Sequence, residues 1–148
     1  MTWEEAVEVL SEFLLLENWQ KDSDGTYAFI VDNQLEIRVF CIDWDYILFQ
    51  GLIGAPLPTN GESARERLKL ILQLNFARIE DNNDVLSIDS DARKIAITRK
   101  LMLKDLELNS LIDNIESFVK NVDFWFSAIE MRSIISNLSP LLNNLHHQ

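Results

Sequence analysis

The sequence predicts an α+β domain in which helices pack on a mostly antiparallel sheet, in the order α-βββ-α-ββ-α. Three observations predict it. Apolar residues recur at helical spacing in separate blocks, β-branched and aromatic residues cluster in short segments between them, and brief polar turns divide those segments. At 148 residues, the chain has the length of one domain.

The first helix is predicted to begin with a capping box. Thr2 is the expected N-cap, Glu5 is its partner three residues on, and the helix is expected to run to about Glu17. The residues expected to face inward are Trp3, Ala6, Val7, Leu10, Phe13 and Leu14. Val9 and Leu16 widen this apolar stripe toward half of the circumference.

Three strand segments follow the polar turn KDSDGT: YAFIV, LEIRVFCID and DYILFQGLI. The linkers between them, Asp32-Asn33 and Asp43-Trp44-Asp45, are short enough for an antiparallel meander. Alternation places residues of the last two segments on opposite faces. In LEIRVFCID, Leu35, Ile37, Val39 and Cys41 point one way, whereas Phe40 and Ile42 point the other way. In DYILFQGLI, Tyr46 and Leu48 lie opposite Ile47 and Phe49.

The second helix is expected after the loop GAPLPTNG, with Ser63 and Glu66 as its capping residues. Leu68, Ile71 and Leu72 lie on the face predicted to meet the core. Leu70 and Leu74 lie well off that face, and Phe76 widens it on the other side, so the helix keeps a second apolar surface. A monomer seldom leaves large apolar surfaces uncovered, so this second surface indicates a partner.

A hairpin and a long helix complete the domain. VLSID and KIAIT, joined by SDAR, predict the hairpin. The third helix keeps i, i+3, i+4, i+7 spacing from Leu108 to Ile129. Ser139 and Pro140 form a good N-cap and N1 pair. We therefore expect one domain over residues 1–133 and a short extension over residues 134–148 with a helical turn of its own.

Composition and charge exclude several classes of partner. The 24 acidic and 13 basic residues leave a net charge of −11, which repels nucleic acid backbones and anionic lipid. No apolar run approaches the ~18 residues of a spanning helix, and the acidic N-terminus lacks a signal-peptide pattern. The single cysteine permits no internal disulfide. We expect a cytoplasmic protein with no nucleic-acid partner and no membrane insertion.

No residue pattern predicts an active site. Asp22 to Thr26 read DSDGT, which matches the nucleophile loop of haloacid-dehalogenase-like phosphatases, but that loop needs a buried parallel strand before it and a helix end is expected here. Cys41 fits a small core residue better than a nucleophile. His146 and His147 lie in the terminal segment, where adjacent side chains lack a fixed metal geometry. We expect no enzyme activity, no metal and no cofactor.

The order of the motifs resembles the CesT-type class I type III secretion chaperones. The resemblance rests on LILQLNF in the second helix, then VLSID, KIAIT, KLMLKDL and a long helix with a late Trp, and it spans residues 1 to about 130. The positions that match the family pattern are Leu57, Pro58, Leu72, Asn75, Leu86, Ile88, Asp89, Ile97, Leu101, Leu103, Leu111, Phe118 and Trp125.

The resemblance implies a homodimeric secretion-chaperone-like fold that binds the N-terminal segment of a secreted effector and keeps it soluble and secretion-competent. The effector would wrap around the first helix and the sheet, and the expected contacts are Val9, Phe13, Leu16, Phe40, Ile42 and Leu48. The dimer seam would use Leu70, Leu74 and Phe76. The ATPase of the secretion apparatus is a further candidate partner.

Two other classes of function stay open at this point. One is a regulatory or interaction protein on the same fold, such as an anti-activator or adaptor that binds a folded partner. The other is a small enzyme with an unrecognised site.

Overall fold

The computed structural model describes residues 1–15, 19–54, 61–77, 84–91 and 93–146. Within these ranges, side chains are described except those of Gln20, Ser63, Arg67, Leu74, Ala77 and residues 130–146. The elements in chain order are α1 (Trp3–Phe13), β1 (Gln20–Lys21), β2 (Tyr27–Val31), β3 (Leu35–Ile42), β4 (Tyr46–Ile53), α2 (Gly61–Ala77), β5 (Asp84–Asp89), β6 (Lys94–Met102), the short 3-10 helix η1 (Leu103–Asp105) and α3 (Leu108–His146).

The strands form one antiparallel sheet in the order β1-β2-β3-β4-β6-β5. The predicted α+β class and the order of its main elements are confirmed. Strand β1 is an addition of two residues at the sheet edge, too short to give a pattern in the sequence.

Alternation along the strands separates an inner face from an outer face, as predicted. The inner face meets α1 and α3, and its buried residues include Leu35, Ile37, Val39, Ile47, Phe49 and Ile97. Helix α3 crosses the sheet closely at Gly51, because a Cβ built there would lie 2.7 Å from Val122 Cγ2. The core therefore lies between the inner face and these two helices.

Helix α1 starts as predicted and ends earlier than predicted. Thr2 Oγ1 accepts from the Glu5 N–H, and Glu5 Oε2 accepts from the Thr2 N–H, which completes the capping box. The helix stops at Phe13 instead of about Glu17, and Leu15 has a left-handed φ of 54°. The chain then returns to the sheet, where the Trp19 ring lies 4.5 Å from the Tyr27 ring.

Two hairpin turns share one backbone geometry. Asp32 and Asn33 join β2 to β3 with φ of 53° and 61°, and Asp43 and Trp44 join β3 to β4 with φ of 54° and 61°. Two left-handed residues in succession are the mark of the type I′ turn, which matches the twist of the flanking strands. The predicted meander is confirmed, and Trp44 occupies the position that Asn33 holds in the other turn.

Helix α2 lies along strand β5. The Asn75 side-chain amide donates to the Leu86 carbonyl oxygen at 2.8 Å and accepts from the Leu86 N–H at 2.9 Å, so it satisfies the backbone of an edge strand. The prediction that Leu68 and Leu72 face the core is wrong, because both are exposed and Ile71 alone of the three is buried. A helix held against one strand edge by Ile71 and Asn75 turns its neighbouring side chains outward.

The predicted start of α2 also needs correction. The helix begins at Gly61, so Ser63 lies inside the first turn and not at the N-cap. The hairpin of β5 and β6 is confirmed, with Asp89 paired to Lys94.

Helix α3 carries the predicted inner stripe. Its buried residues are Leu111, Ile115, Phe118, Val122, Trp125 and Ile129, whereas Leu108 is exposed. The helix continues without interruption through Ser139 and Pro140 to His146, so the predicted separate helix at Pro140 is wrong. Its backbone therefore crosses the limit between residues 133 and 134, and the proposed division of the chain at that point stays a prediction.

One polar network is buried between β5, β6 and α3. Arg99 is only 6% exposed, and its Nη2 donates to Asp84 Oδ2 at 2.8 Å while its Nη1 donates to the Asn114 carbonyl oxygen at 3.0 Å. Asn121 Nδ2 also donates to Asp84 Oδ2, at 2.6 Å. The guanidinium lies 5.6 Å from the centre of the Phe118 ring. A paired and hydrogen-bonded charge of this kind is tolerated in a core.

In the part of the chain that the structure describes, no helix combines the length and apolar character needed to cross a membrane.

Candidate functional site

The outer face of the sheet carries a compact apolar block at one end. Phe40 pairs with Leu48, and Ile42 pairs with Tyr46, across strands β3 and β4. All four side chains are half-buried, so each still presents apolar surface to solvent. We call Phe40, Ile42, Tyr46 and Leu48 the outer strip.

Polar residues bound the outer strip along the same face. The Arg38 and Glu36 side chains form an ion pair at 3.4 Å on β3, and Gln50 follows Leu48 on β4, paired with Arg38. The apolar surface of β3 and β4 is therefore local to one end of the sheet.

The two predicted binding residues of α1 that the structure describes lie on the other side of the sheet. Val9 is half-buried and packs against the core, and Phe13, one turn later, is 38% exposed. Leu16, predicted with them, lies outside the described residues. The structure thus divides the predicted set between α1 and the outer strip and does not bring its members together on one surface.

The apolar surface of α2 differs from the predicted one. Leu70 is half-buried, the Leu74 side chain is outside what the structure describes, and Phe76 is 81% exposed. Leu68 and Leu72 are exposed as well, with Leu72 at 69%. Because residues four apart share a helix face, Leu68, Leu72 and Phe76 form one exposed line, which we call the α2 stripe.

A pocket that the sequence did not predict opens at the end of the sheet where α1 begins. Its volume is about 740 Å³, within the usual range of ligand-sized sites. It is lined by the residues Met1 to Glu5, Trp44 to Tyr46 and Met102 to Lys104. The walls come from three distant parts of the chain, so the sequence offered no sign of it except an aromatic residue between two aspartates in a tight turn.

The candidate catalytic residues have ordinary structural roles. DSDGT forms a turn, in which the Gly25 N–H donates to the Asp22 carbonyl oxygen at 3.0 Å. The Thr26 N–H donates to Asp24 Oδ1 at 3.0 Å and lowers the pKa of that carboxyl below its usual value. Burial raises the pKa of the Cys41 thiol, the opposite of what a nucleophile needs. Among the described residues no group of three or more metal-ligating side chains comes together.

Comparison with solved structures finds the same fold in proteins of distant sequence. A chain of the HopA1-SchA chaperone-effector complex matches with a TM-score of 0.64 and 16% identity, over 84% of this chain and 93% of that chain. A chain of the ExsC-ExsE complex matches with a TM-score of 0.65 and 14% identity, over 86% of this chain and 96% of that chain.

A third match is the structure of the Yersinia pestis type III secretion chaperone SycH in complex with a stable fragment of YscM2. Its TM-score is 0.56 and its identity 16%, over 81% of this chain and 96% of that chain. At these identities the matches show a shared fold. No curated protein sequence matches the chain.

The family is shown by sequence. The model of the Tir chaperone protein (CesT) family matches residues 5–126, which include most of α1, the whole sheet, α2 and the first part of α3. The resemblance carried by the motif order is therefore confirmed. The chain belongs to the Tir chaperone protein (CesT) family, a family of chaperones and not of enzymes.

Proposed function

We propose that this chaperone holds a segment from the N-terminus of a secreted effector in an extended form against the outer strip. The observation that carries the proposal is the block formed by Phe40, Ile42, Tyr46 and Leu48, four adjacent apolar side chains that keep surface in contact with solvent on a sheet face bounded by polar residues. An apolar patch with a polar rim is typical of a protein-binding surface.

An extended client requires a long contact. Ordering a flexible chain costs about 1–2 kcal/mol per residue in backbone entropy, so a single pocket would not offset the ordering of tens of residues. Val9 and Phe13 on α1 supply a second apolar contact on the opposite side of the sheet. A client that wraps around the sheet edge would reach both surfaces.

The edge of β2 offers such a client a backbone partner. Strand β1 pairs only with Tyr27 and Ala28 of β2, and no described strand pairs with the outer edge of Phe29–Val31. An extended segment that adds a strand there would gain main-chain hydrogen bonds without a particular side-chain sequence.

The α2 stripe supports a homodimer as part of the same proposal. Leu68, Leu72 and Phe76 lie in one exposed line, and a two-fold contact is the commonest way for a soluble protein to cover such a surface. This moves the proposed seam from Leu70 and Leu74 to Leu68 and Leu72, while Phe76 stays in it. A cytoplasmic location and docking of the loaded chaperone on the secretion ATPase complete the proposal.

Two substitutions by aspartate on one strand test whether the outer strip is the surface that binds the effector, which we call the client surface. Leu48 and Gln50 are consecutive outer-face residues of β4, and only Leu48 belongs to the outer strip. We expect Leu48→Asp to lose most of the effector that co-purifies with the wild-type chaperone when the neighbouring genes are co-expressed, because it places an unpaired charge under an apolar contact. Gln50→Asp should retain the effector.

Proteolysis of the complex completes this test. The bound effector segment should be trimmed to a protected peptide by the chaperone alone, without nucleotide. Equal retention of effector by both variants would show that the outer strip is not the client surface. A client that is a folded, protease-resistant domain would contradict the chaperone mode and favour the regulatory alternative.

A second pair tests the homodimer. Leu72 and Gln73 are both exposed on α2, and only Leu72 belongs to the α2 stripe. We expect the wild type and Gln73→Glu to be dimers by light scattering at micromolar concentration, and Leu72→Glu to be a monomer or an aggregate, since a buried unpaired charge at a seam is strongly unfavourable. A monomeric wild type would refute the dimer.

A further inference from the structure

The pocket at the start of α1 adjoins the outer strip. Tyr46 belongs to both, and Tyr46 pairs across the sheet with Met102, which also lines the pocket. A chain segment that lies on the outer strip and continues past Tyr46 therefore enters the pocket. Any role for the pocket in client binding rests on the function proposed above.

Backbone hydrogen bonds hold the walls of the pocket in place. The Leu103 N–H donates to the Asp45 carbonyl oxygen at 2.8 Å, and the Met1 nitrogen donates to the Leu103 carbonyl oxygen at 3.2 Å. These bonds tie the β3–β4 turn, the end of β6 and the start of α1 to one another. A pocket with such walls exists before a ligand arrives, which lowers the cost of binding.

The Trp44 side chain gains little stabilisation from packing in the free chain. Its side chain is 72% exposed, and its backbone has a φ of 61°, a region that bulky residues rarely adopt. The corresponding residue of the other type I′ turn is Asn33, one of the residues that usually occupy it. A residue kept in an unfavourable conformation without burial points to a contact that the free chain does not make.

The charge of the pocket selects the ligand. The carboxylates of Glu4 and Asp45 line it, and neither makes a hydrogen bond or ion pair with the residues that the structure describes. Glu5 is held by the capping box. The cationic groups of the wall are the Lys104 side chain and the Met1 ammonium, and the ammonium donates to the Leu103 carbonyl oxygen. The same negative charges act on the nearby Cys41 thiol. Its pKa is raised chiefly by burial and also by the charges of Glu4, Asp45 and Asp43.

One wall of the pocket already holds a cation against an aromatic ring. Lys100 Nζ lies 4.0 Å from the centre of the Tyr46 ring, at cation–π distance. The Trp44 indole is a stronger partner of the same kind, because the ring quadrupole of Trp attracts cations best. A guanidinium suits the place better than an ammonium, since it stacks on the indole and also pairs with two carboxylate oxygens.

We propose that the pocket is a subsite for an arginine side chain of the client, which stacks on Trp44 beside the carboxylates of Glu4 and Asp45. The aliphatic part of the arginine lies against Met102. The client would therefore carry an arginine at the end of the apolar segment that covers the outer strip, and the acidic chaperone would recognise its client by charge as well as by apolar contact.

Titration with N-acetyl-arginine amide tests the subsite without a client. Its uncharged isostere, N-acetyl-citrulline amide, is the matched probe, and both are followed through the indole N–H signal of Trp44 in nitrogen–proton NMR spectra. We expect the arginine probe to bind about three-fold more tightly than the citrulline probe or better, as a cation–π contact predicts. Equal binding of the two probes, or no arginine-dependent shift, would overturn the subsite.

Matched variants locate the binding. Trp44→Asn gives both hairpin turns the same residue, so it should fold, and it should abolish the preference for the arginine probe as seen on the backbone signals of residues 44–46 and 102–104. Asp45→Asn should weaken it, whereas Asp32→Asn, which removes a carboxylate from the turn at the other end of β3, should leave it unchanged. Wild-type binding by Trp44→Asn would overturn the proposal.

Effector retention separates the two proposals. If Leu48→Asp loses the effector but Trp44→Asn binds both arginine probe and effector normally, the subsite fails and the client surface stands. If Leu48→Asp retains the effector, the client surface fails, and the probe titration still decides whether the pocket binds arginine.

Discussion

The two faces of strands β3 and β4 carry similar residues and have different surroundings. On the inner face, Leu35, Ile37, Val39, Ile47 and Phe49 are at most 1% exposed. On the outer face, the outer strip has the same aliphatic and aromatic character but is only half-buried. The difference comes from α1 and α3, which cover the inner face. Residue type alone therefore does not separate a core residue from a binding residue.

This difference has an energetic consequence. Removing apolar surface from water contributes about 25 cal/mol per Å², and the inner face gains that contribution when the chain folds. The outer strip gains only part of that contribution on folding, because its side chains stay half-buried. The remaining contribution is gained when a partner covers the outer strip. We expect substitutions on the inner face to change stability, and substitutions on the outer face to change binding.

The largest expected effect is at Phe118, in the core between the inner face of the sheet and the helices α1 and α3, which we call the inner layer. Phe118 is fully buried, and its ring lies 5.6 Å from that of Phe49. Phe118→Ala should lower the free energy of unfolding by about 3–5 kcal/mol, a large share of the roughly 5–15 kcal/mol that a domain has. Soluble expression should fall sharply, and any purified protein should unfold at much lower urea concentration.

Phe124→Ala is the matched control on the same helix. Phe124 is 49% exposed, so its truncation should cost less than half as much. If Phe118→Ala melted within a few degrees of the wild type, the assignment of this face of α3 to the core would be contradicted.

A somewhat smaller effect is expected at the polar pair of the inner layer. The Asp84 carboxylate is only 1% exposed and faces Arg99. Asp84→Ala should cost about 3 kcal/mol, because it leaves a buried guanidinium without its counter-charge. Urea denaturation measures the loss.

A double variant sharpens this second prediction. Asp84→Leu combined with Arg99→Met removes both charges, and buried ion pairs are often replaced by apolar residues at little cost. The double variant should therefore be more stable than Asp84→Ala. If it were less stable, the pair itself would contribute net stability to the inner layer.

Sequence patterns predicted the inner layer well. The period of two in β3 and β4 and the period of 3.6 in α3 both arise from burial on one side, so they identify the faces correctly. The capping box at Thr2 and Glu5 and the turns at Asp32 and Asp43 are local, and their residues carry the signal themselves.

The features that the sequence did not predict depend on contacts between distant segments. The orientation of α2 follows from the bond between Asn75 and Leu86, so helical spacing could show two apolar surfaces but not which of them faces the core. Helix α1 ends at Phe13 although no glycine or proline follows it at once. The pocket at Trp44 exists only because the start of α1 and the end of β6 meet the same turn.

The smallest expected effect is at Trp44, where an aromatic residue lowers stability. A left-handed conformation costs an ordinary L-residue roughly 1–2 kcal/mol, and Asn tolerates it better because its side chain bonds locally. Since Trp44 is 72% exposed, its removal forfeits little packing. Trp44→Asn should thus raise the free energy of unfolding by about 0.5–1 kcal/mol and the melting temperature by ~2–4 °C, measured by calorimetry.

The reciprocal control, Asn33→Trp, should lower stability by a similar amount. A lower melting temperature for Trp44→Asn would mean that the indole packs against the pocket wall strongly enough to stabilise the free chain. Trp44 would then contribute to stability as the inner-face residues do, and the contrast between a stabilising inner face and a binding outer surface would not extend to this turn.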